Sequence, residues 1–70
     1  MRIRHKELMA ETGVTPDEVS AAEWPDANKR VRYEMLRNQL KKPLKLIRAE
    51  QLFALSDLYG TTNLNKLIER

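Results

Sequence analysis

The sequence predicts an all-α domain of four to five short helices, and three observations predict it. Apolar residues recur at three- and four-residue spacings along most of the chain. No segment alternates polar and apolar as a strand would. Start and stop residues punctuate the pattern, with Thr15-Pro16 and Asp26 at starts and Gly13 and Gly60 at stops. Seventy residues correspond to a single compact domain, residues 1–70. A chain of this size buries only roughly 60% of the surface it exposes when unfolded. Its core is therefore marginal, and a partner subunit would add to it.

The first helix is expected over residues 4–11, with Leu8 and Met9 inward and Gly13 as a left-handed stop. His5 stands beside Lys6 and Glu7 near a terminus and is read as a surface residue. The next start is the most complete. Thr15 takes the N-cap, Pro16 the first helical position and Glu18 the capping-box position, with Val14 stapled against Val19. That helix should run to about Trp24, because Pro25 disfavours helical geometry in the residue before it. Asp17, Glu18 and Glu23 are explained by capping and solvation. Trp24 is either a core anchor for the first three helices or an exposed interface residue, and the corner set by Pro25 favours the core.

The third helix is expected over residues 26–40, starting at Asp26, whose charge suits the helix dipole. Ala27, Val31 and Met35 form one apolar stripe and Tyr33, Leu36 and Leu40 a second, both expected to be buried. Arg30, Arg37 and Lys41 share a third strip. Pro43 ends this element, and a connection through Leu46 leads to a fourth helix over residues 48–59. Leu52, Leu55, Ser56 and Tyr59 form its core face together with Ala49, Leu58 widens that face, and Gly60 closes the helix. A last helix over residues 63–69 carries Leu64, Leu67 and Ile68, with Thr62 or Asn63 as its cap.

The composition removes several function classes. Without cysteine there are no disulfides, thiolate nucleophiles or Cys-type zinc sites. No apolar run follows the N-terminal charges as a secretory signal requires. None approaches the ~20 residues of a membrane span. A cytoplasmic protein is expected. The single histidine has no nucleophile and orienting group around it, no glycine-rich phosphate loop is present, and the carboxylates form no oxygen-ligand set for a metal. Neither enzymatic activity, cofactor, metal, small-molecule substrate nor membrane partner is expected.

Charge is distributed in blocks, which is more informative than the net +3. Arg2, Arg4 and Lys6 open the chain. Residues 7–28 then carry Glu7, Glu11, Asp17, Glu18, Glu23 and Asp26 with no Lys or Arg. Residues 29–48 carry Lys29, Arg30, Arg32, Arg37, Lys41, Lys42, Lys45 and Arg48 against Glu34 alone, a net +7. Such a concentration is the electrostatic footprint of a polyanion binder.

Two stretches resemble helix-turn-helix proteins. In residues 5–24, Leu8, the turn Gly13-Val14, Val19 and Ala22 are spaced as in the lactose-repressor and mercury-regulator families. This resemblance implies that residues 15–24 enter the major groove, which would bring Asp17, Glu18 and Glu23 to the phosphates without a Lys or Arg. The second resemblance covers most of the chain. Arg30-Val-Arg-Tyr-Glu-Met-Leu-Arg-Asn38, the basic loop to Pro43, Arg48 through Gly60 with the small residue Ser56, and Leu64 are similar to the Cro/repressor family of phage and plasmid regulators. The chain departs from that family at Trp24-Pro25, where glycine is usual, in its longer third helix and in extra residues after Asn38. The charge blocks favour this second resemblance. It implies that residues 14–24 support and residues 29–38 read.

The function expected is sequence-specific binding of double-stranded DNA by a repressor-like regulator of phage or plasmid type, acting as a homodimer. Lys29, Arg30, Arg32, Tyr33, Arg37 and Asn38 lie on or near the reading helix. Lys41, Lys42, Lys45 and Arg48 are assigned to phosphates, and Arg2 and Arg4 to an arm along the backbone or in a minor groove. The alternative is a small helical protein-interaction module, an adaptor, inhibitor or DNA mimic that uses an acidic face over residues 7–26.

Overall fold

A computed structural model describes residues 1–69. The order of elements is β1 (Arg2–Ile3), α1 (His5–Thr12), α2 (Pro16–Glu23), α3 (Lys29–Lys41), α4 (Ala49–Tyr59), α5 (Leu64–Leu67) and β2 (Ile68–Glu69). The domain is mostly helical, as the periodicity predicts.

Local chemistry accounts for most boundaries. Gly13 and Gly60 adopt left-handed φ values of 75° and 68° at the ends of α1 and α4, a conformation that other residues reach only at a steric cost. The Thr15 hydroxyl accepts a hydrogen bond from the Glu18 N–H and donates to the Glu18 carboxylate, both at 3.2 Å. Thr15→Ala is therefore expected to destabilise the domain by about 1 kcal/mol. The effect would be read as a lower urea midpoint at unchanged slope; an unmoved midpoint would show that the cap bond contributes nothing net.

Three boundaries differ from expectation. The third helix starts at Lys29, not Asp26, because Asn28 caps it: the Asn28 Oδ1 accepts from the Val31 N–H at 2.9 Å. Residues 24–27 instead close a turn, in which the Ala27 N–H donates to the Trp24 carbonyl at 3.2 Å. The last helix, capped by Asn63, stops at Leu67, and Ile68–Glu69 leaves it to pair antiparallel with Arg2–Ile3. In this register Arg2 lies opposite Glu69 and Ile3 opposite Ile68. These two short strands were not expected. Ile3 and Ile68 are β-branched and suit extended backbone, but a two-residue strand is too short to show alternation in sequence.

Ile3, Leu8, Val19, Leu36, Leu55, Tyr59 and Leu67 form the core, so every element except β2 contributes a fully buried apolar side chain. Trp24 is half-buried and packs against this core. Central to the packing is α2, whose main contacts are with α3 and α4. On α4 the inward face runs through Leu55 and Tyr59, with Leu52 and Leu58 half-buried, but Ala49 is exposed.

The two apolar stripes expected to bury the third helix on both sides do not. Only Leu36 is buried on α3; Val31, Tyr33, Met35 and Leu40 stay between 36% and 39% exposed. The domain is too small to cover a helix from two sides. It docks α3 through one line, Leu36 with half-buried Arg32 and Gln39.

Candidate nucleic-acid interface

A helix docked on one line leaves the rest of its circumference outward. Arg30, Glu34, Arg37, Asn38 and Lys41 are all exposed on α3, and the helical repeat places the four others within roughly 60° of Glu34. They form one polar strip, opposite Leu36. On one side of it Tyr33 and Leu40 line a shallow groove with Pro16. On the other, Met35 lines a groove with Trp24, Pro43 and Leu44. Lys29, at the start of the helix, places its ammonium 5.9 Å from the Tyr33 ring centroid. A cation over an aromatic face at that distance is attracted by the ring quadrupole.

Not every expected residue joins this strip. Arg32 turns back onto the protein, where its guanidinium donates to Asp17 Oδ1 at 3.2 Å and to the Ala27 carbonyl at 3.3 Å. It ties α3 to α2 and to the turn between them. Lys42, Lys45 and Arg48 are exposed on the connection from α3 to α4. The segment with Arg2 and Arg4 is not a free arm: β1 is paired, Ile3 is buried, the Arg4 N–H donates to the Leu67 carbonyl at 2.8 Å, and the Arg4 guanidinium pairs with Glu7 at 3.1 Å. Arg2, Arg4 and Lys6 nevertheless line a groove together with Gln39 and Leu40 of α3, so the N-terminal cations adjoin the second half of that helix.

What holds α3 in this posture is a buried polar cluster that sequence reasoning missed. His5 is 1% exposed, not a surface residue, and Glu23 is 4% exposed, not a solvated carboxylate. The Tyr59 hydroxyl lies 2.8 Å from His5 Nδ1, and His5 Nε2 lies 2.6 Å from Gln39 Oε1. Gln39 Nε2 donates to Glu23 Oε1 at 2.9 Å. One assignment of protons satisfies the chain: Tyr59 donates to Nδ1, Nε2–H donates to Gln39, and Gln39 donates to Glu23. The cluster draws one side chain from each of α1 to α4, and Gln51 adds a 3.5 Å bond to the Glu23 backbone carbonyl. Glu23 Oε2 is left without a partner, 3.7 Å from His5 Nε2.

Burial decides the charge state of this cluster. It pushes the Glu23 carboxyl up to about 7, against the opposing effect of the Gln39 hydrogen bond. It pushes the His5 imidazole below its ordinary value, again against Gln39. Burial and then the nearby Glu23 charge raise the Tyr59 phenol. The first two shifts agree: the His5–Glu23 approach is not an ion pair but a neutral imidazole beside a carboxyl that resists ionisation.

Among the described residues no three His, Cys, Asp or Glu side chains gather as a metal site, and no helix is long and apolar enough to cross a membrane. Comparisons of the chain with protein-family models, with curated proteins and with solved structures found no match in any of the three.

Proposed function

We propose that this domain is a sequence-specific DNA-binding regulator, repressor-like and of the phage or plasmid type, that presents α3 to the major groove of duplex DNA. The observation that carries the reading is the posture of α3. Thirteen residues of helix, about 20 Å long, bury a single side chain and turn a strip of Arg30, Arg37, Asn38 and Lys41 to solvent. B-DNA's major groove is about 12 Å wide and admits one such helix. Arg and Asn are the side chains that pair bidentately with guanine and adenine edges there. The α2–turn–α3 pair then acts as the helix-turn-helix, with α2 as support, Arg32 as its internal tie and the apolar margins of α3 against sugars and thymine methyl groups. Lys42, Lys45 and Arg48, with Arg2 at the other end, are assigned to phosphates. In this reading two copies act together on a two-fold-symmetric site.

The rival use of residues 7–26 as an acidic docking face has less support. Glu23 is internal, Asp17 is engaged by Arg32, Glu7 pairs with Arg4, and Glu18 serves the cap of α2. Glu11 and Asp26 remain.

Fluorescence anisotropy with a labelled duplex tests the proposal. Binding is expected to weaken steeply with salt, and Arg30→Ala with Arg37→Ala should flatten the log–log slope by about 2, one counterion-release increment of roughly 0.9 per lost phosphate contact. An unchanged slope and affinity in the double variant, or no binding at low ionic strength, would overturn it. Selection of duplexes from a random pool should enrich a symmetric site if two copies bind.

A further inference from the structure

The exposed strip of α3 contains one residue that phosphate attraction does not explain. Glu34 is the only carboxylate in residues 29–48, and it sits at the centre of the strip instead of at its edge. Arg30 lies one turn before it, Arg37 and Asn38 one turn after, and Lys41 two turns after. Even so, Glu34 makes no ion pair and no side-chain hydrogen bond among the described residues. Its helix-stabilising value is correspondingly small. The cation at Arg30 precedes the acid by four residues, the less favourable order for such a pair. A surface that only attracted polyanions would gain from any neutral or basic residue at this position, because a carboxylate facing DNA is repelled by the phosphates.

We infer that Glu34 is a specificity-determining residue, the carboxylate that selects a cytosine within the bound site; the inference rests on the reading of α3 as the groove helix. The chemistry singles out one base. In the major groove guanine presents two acceptors, thymine an acceptor and a methyl group, and adenine a donor beside the N7 acceptor. Cytosine alone presents a donor, its N4 amino group, with no neighbouring acceptor to repel the carboxylate. Opposite any other base Glu34 keeps its repulsion from the backbone and gains nothing in return. It therefore lowers affinity for unrelated DNA and releases that penalty only where its oxygen accepts from cytosine. Arg30 and Arg37 on one side and Asn38 on the other hold the helix close enough for that contact to form.

Duplex selection with the parent protein, Glu34→Ala and Glu34→Gln tests this, since an exposed side chain can be changed without disturbing the core. The parent is expected to enrich cytosine at one position per half-site. Glu34→Ala should erase that preference by about 10-fold or more and leave the other positions alone, while binding unselected duplex more tightly. Glu34→Gln should move the preference at the same position from cytosine to adenine, because a carboxamide pairs with adenine N6 and N7. If the parent selects a site and both variants select the same one, Glu34 is a solvated charge and the inference fails while the groove reading stands. If the parent binds no duplex at low salt, both fail together.

Discussion

A Glu23→Gln variant is expected to be more stable than the parent at pH 8, by about 2 to 3 kcal/mol, and nearly equal to it at pH 4. The carboxyl titrates at about 7 in the folded protein against 4.5 for the free group. A folded value above the unfolded one means that the native state holds a proton the unfolded chain has released. Stability is intact below about 4.5, is lost as pH rises from there to about 7, and stays reduced above it. Each unit of separation corresponds to about 1.4 kcal/mol. Glutamine keeps an oxygen for the Gln39 amide and removes the charge. In a domain of this size the gain would raise the melting temperature at pH 8 by on the order of 10 °C. His5 acts in the opposite sense in both proteins: its folded value lies below 6.5, so its contribution is complete above that pH and is lost as pH falls through it. Thermal melts of the two proteins from pH 4 to 8 check the difference directly. A gap independent of pH would show that Glu23 is ionised throughout or is not desolvated.

Leu55→Ala is expected to cost about 3 to 4 kcal/mol. Leu55 is fully buried on α4 between Leu52 and Tyr59, where α4 meets the central helix α2. Truncating a buried leucine loses its transfer free energy and leaves a cavity that a packed core fills only in part, with a range of about 2 to 5 kcal/mol. A chain of this length has on the order of 4 to 10 kcal/mol in total. The variant should therefore be partly unfolded near 40 °C. Phe53, two residues away but 66% exposed on the opposite side of α4, is the control. Phe53→Ala should change stability by only about 0.5 kcal/mol. Urea titrations followed by the fluorescence of Trp24 distinguish the two; equal losses would mean that α4 does not present the face described here.

Most of the helical framework was legible, and the reasons are local. A capping hydroxyl, a proline at the first helical position and a glycine at a left-handed stop act within one turn, so Thr15, Pro16, Gly13 and Gly60 placed the ends of α1, α2 and α4 to within a residue. Asn28 was equally local. It was passed over for Asp26, although the turn drawn by Trp24-Pro25 uses up residues 24–27.

The failures concern polar residues on inward stripes. His5 shares a helical stripe with Leu8 and Thr12, Glu23 follows Val19 by four residues, and Gln39 follows Leu36 by three. Periodicity alone points all three inward; their polarity argued otherwise. Each becomes admissible in the core only because the others, from three different helices, supply its partners. That reciprocity is long-range and cannot be read from any one segment. The same division applies to the interface. The +7 block was evident by counting, whereas the withdrawal of Arg32 onto Asp17 and the tethering of Arg2 in β1 depend on tertiary neighbours.

Because residue 2 runs beside residue 69, the backbone enters and leaves the domain at nearly the same point on its surface. A host protein could accommodate the whole unit within one of its own surface loops without prising that loop apart, the geometric condition under which domain insertion is tolerated. The junction would fall next to the second half of α3, so the residues flanking such an insert would decide whether the helix stays open to a partner or is shielded from one.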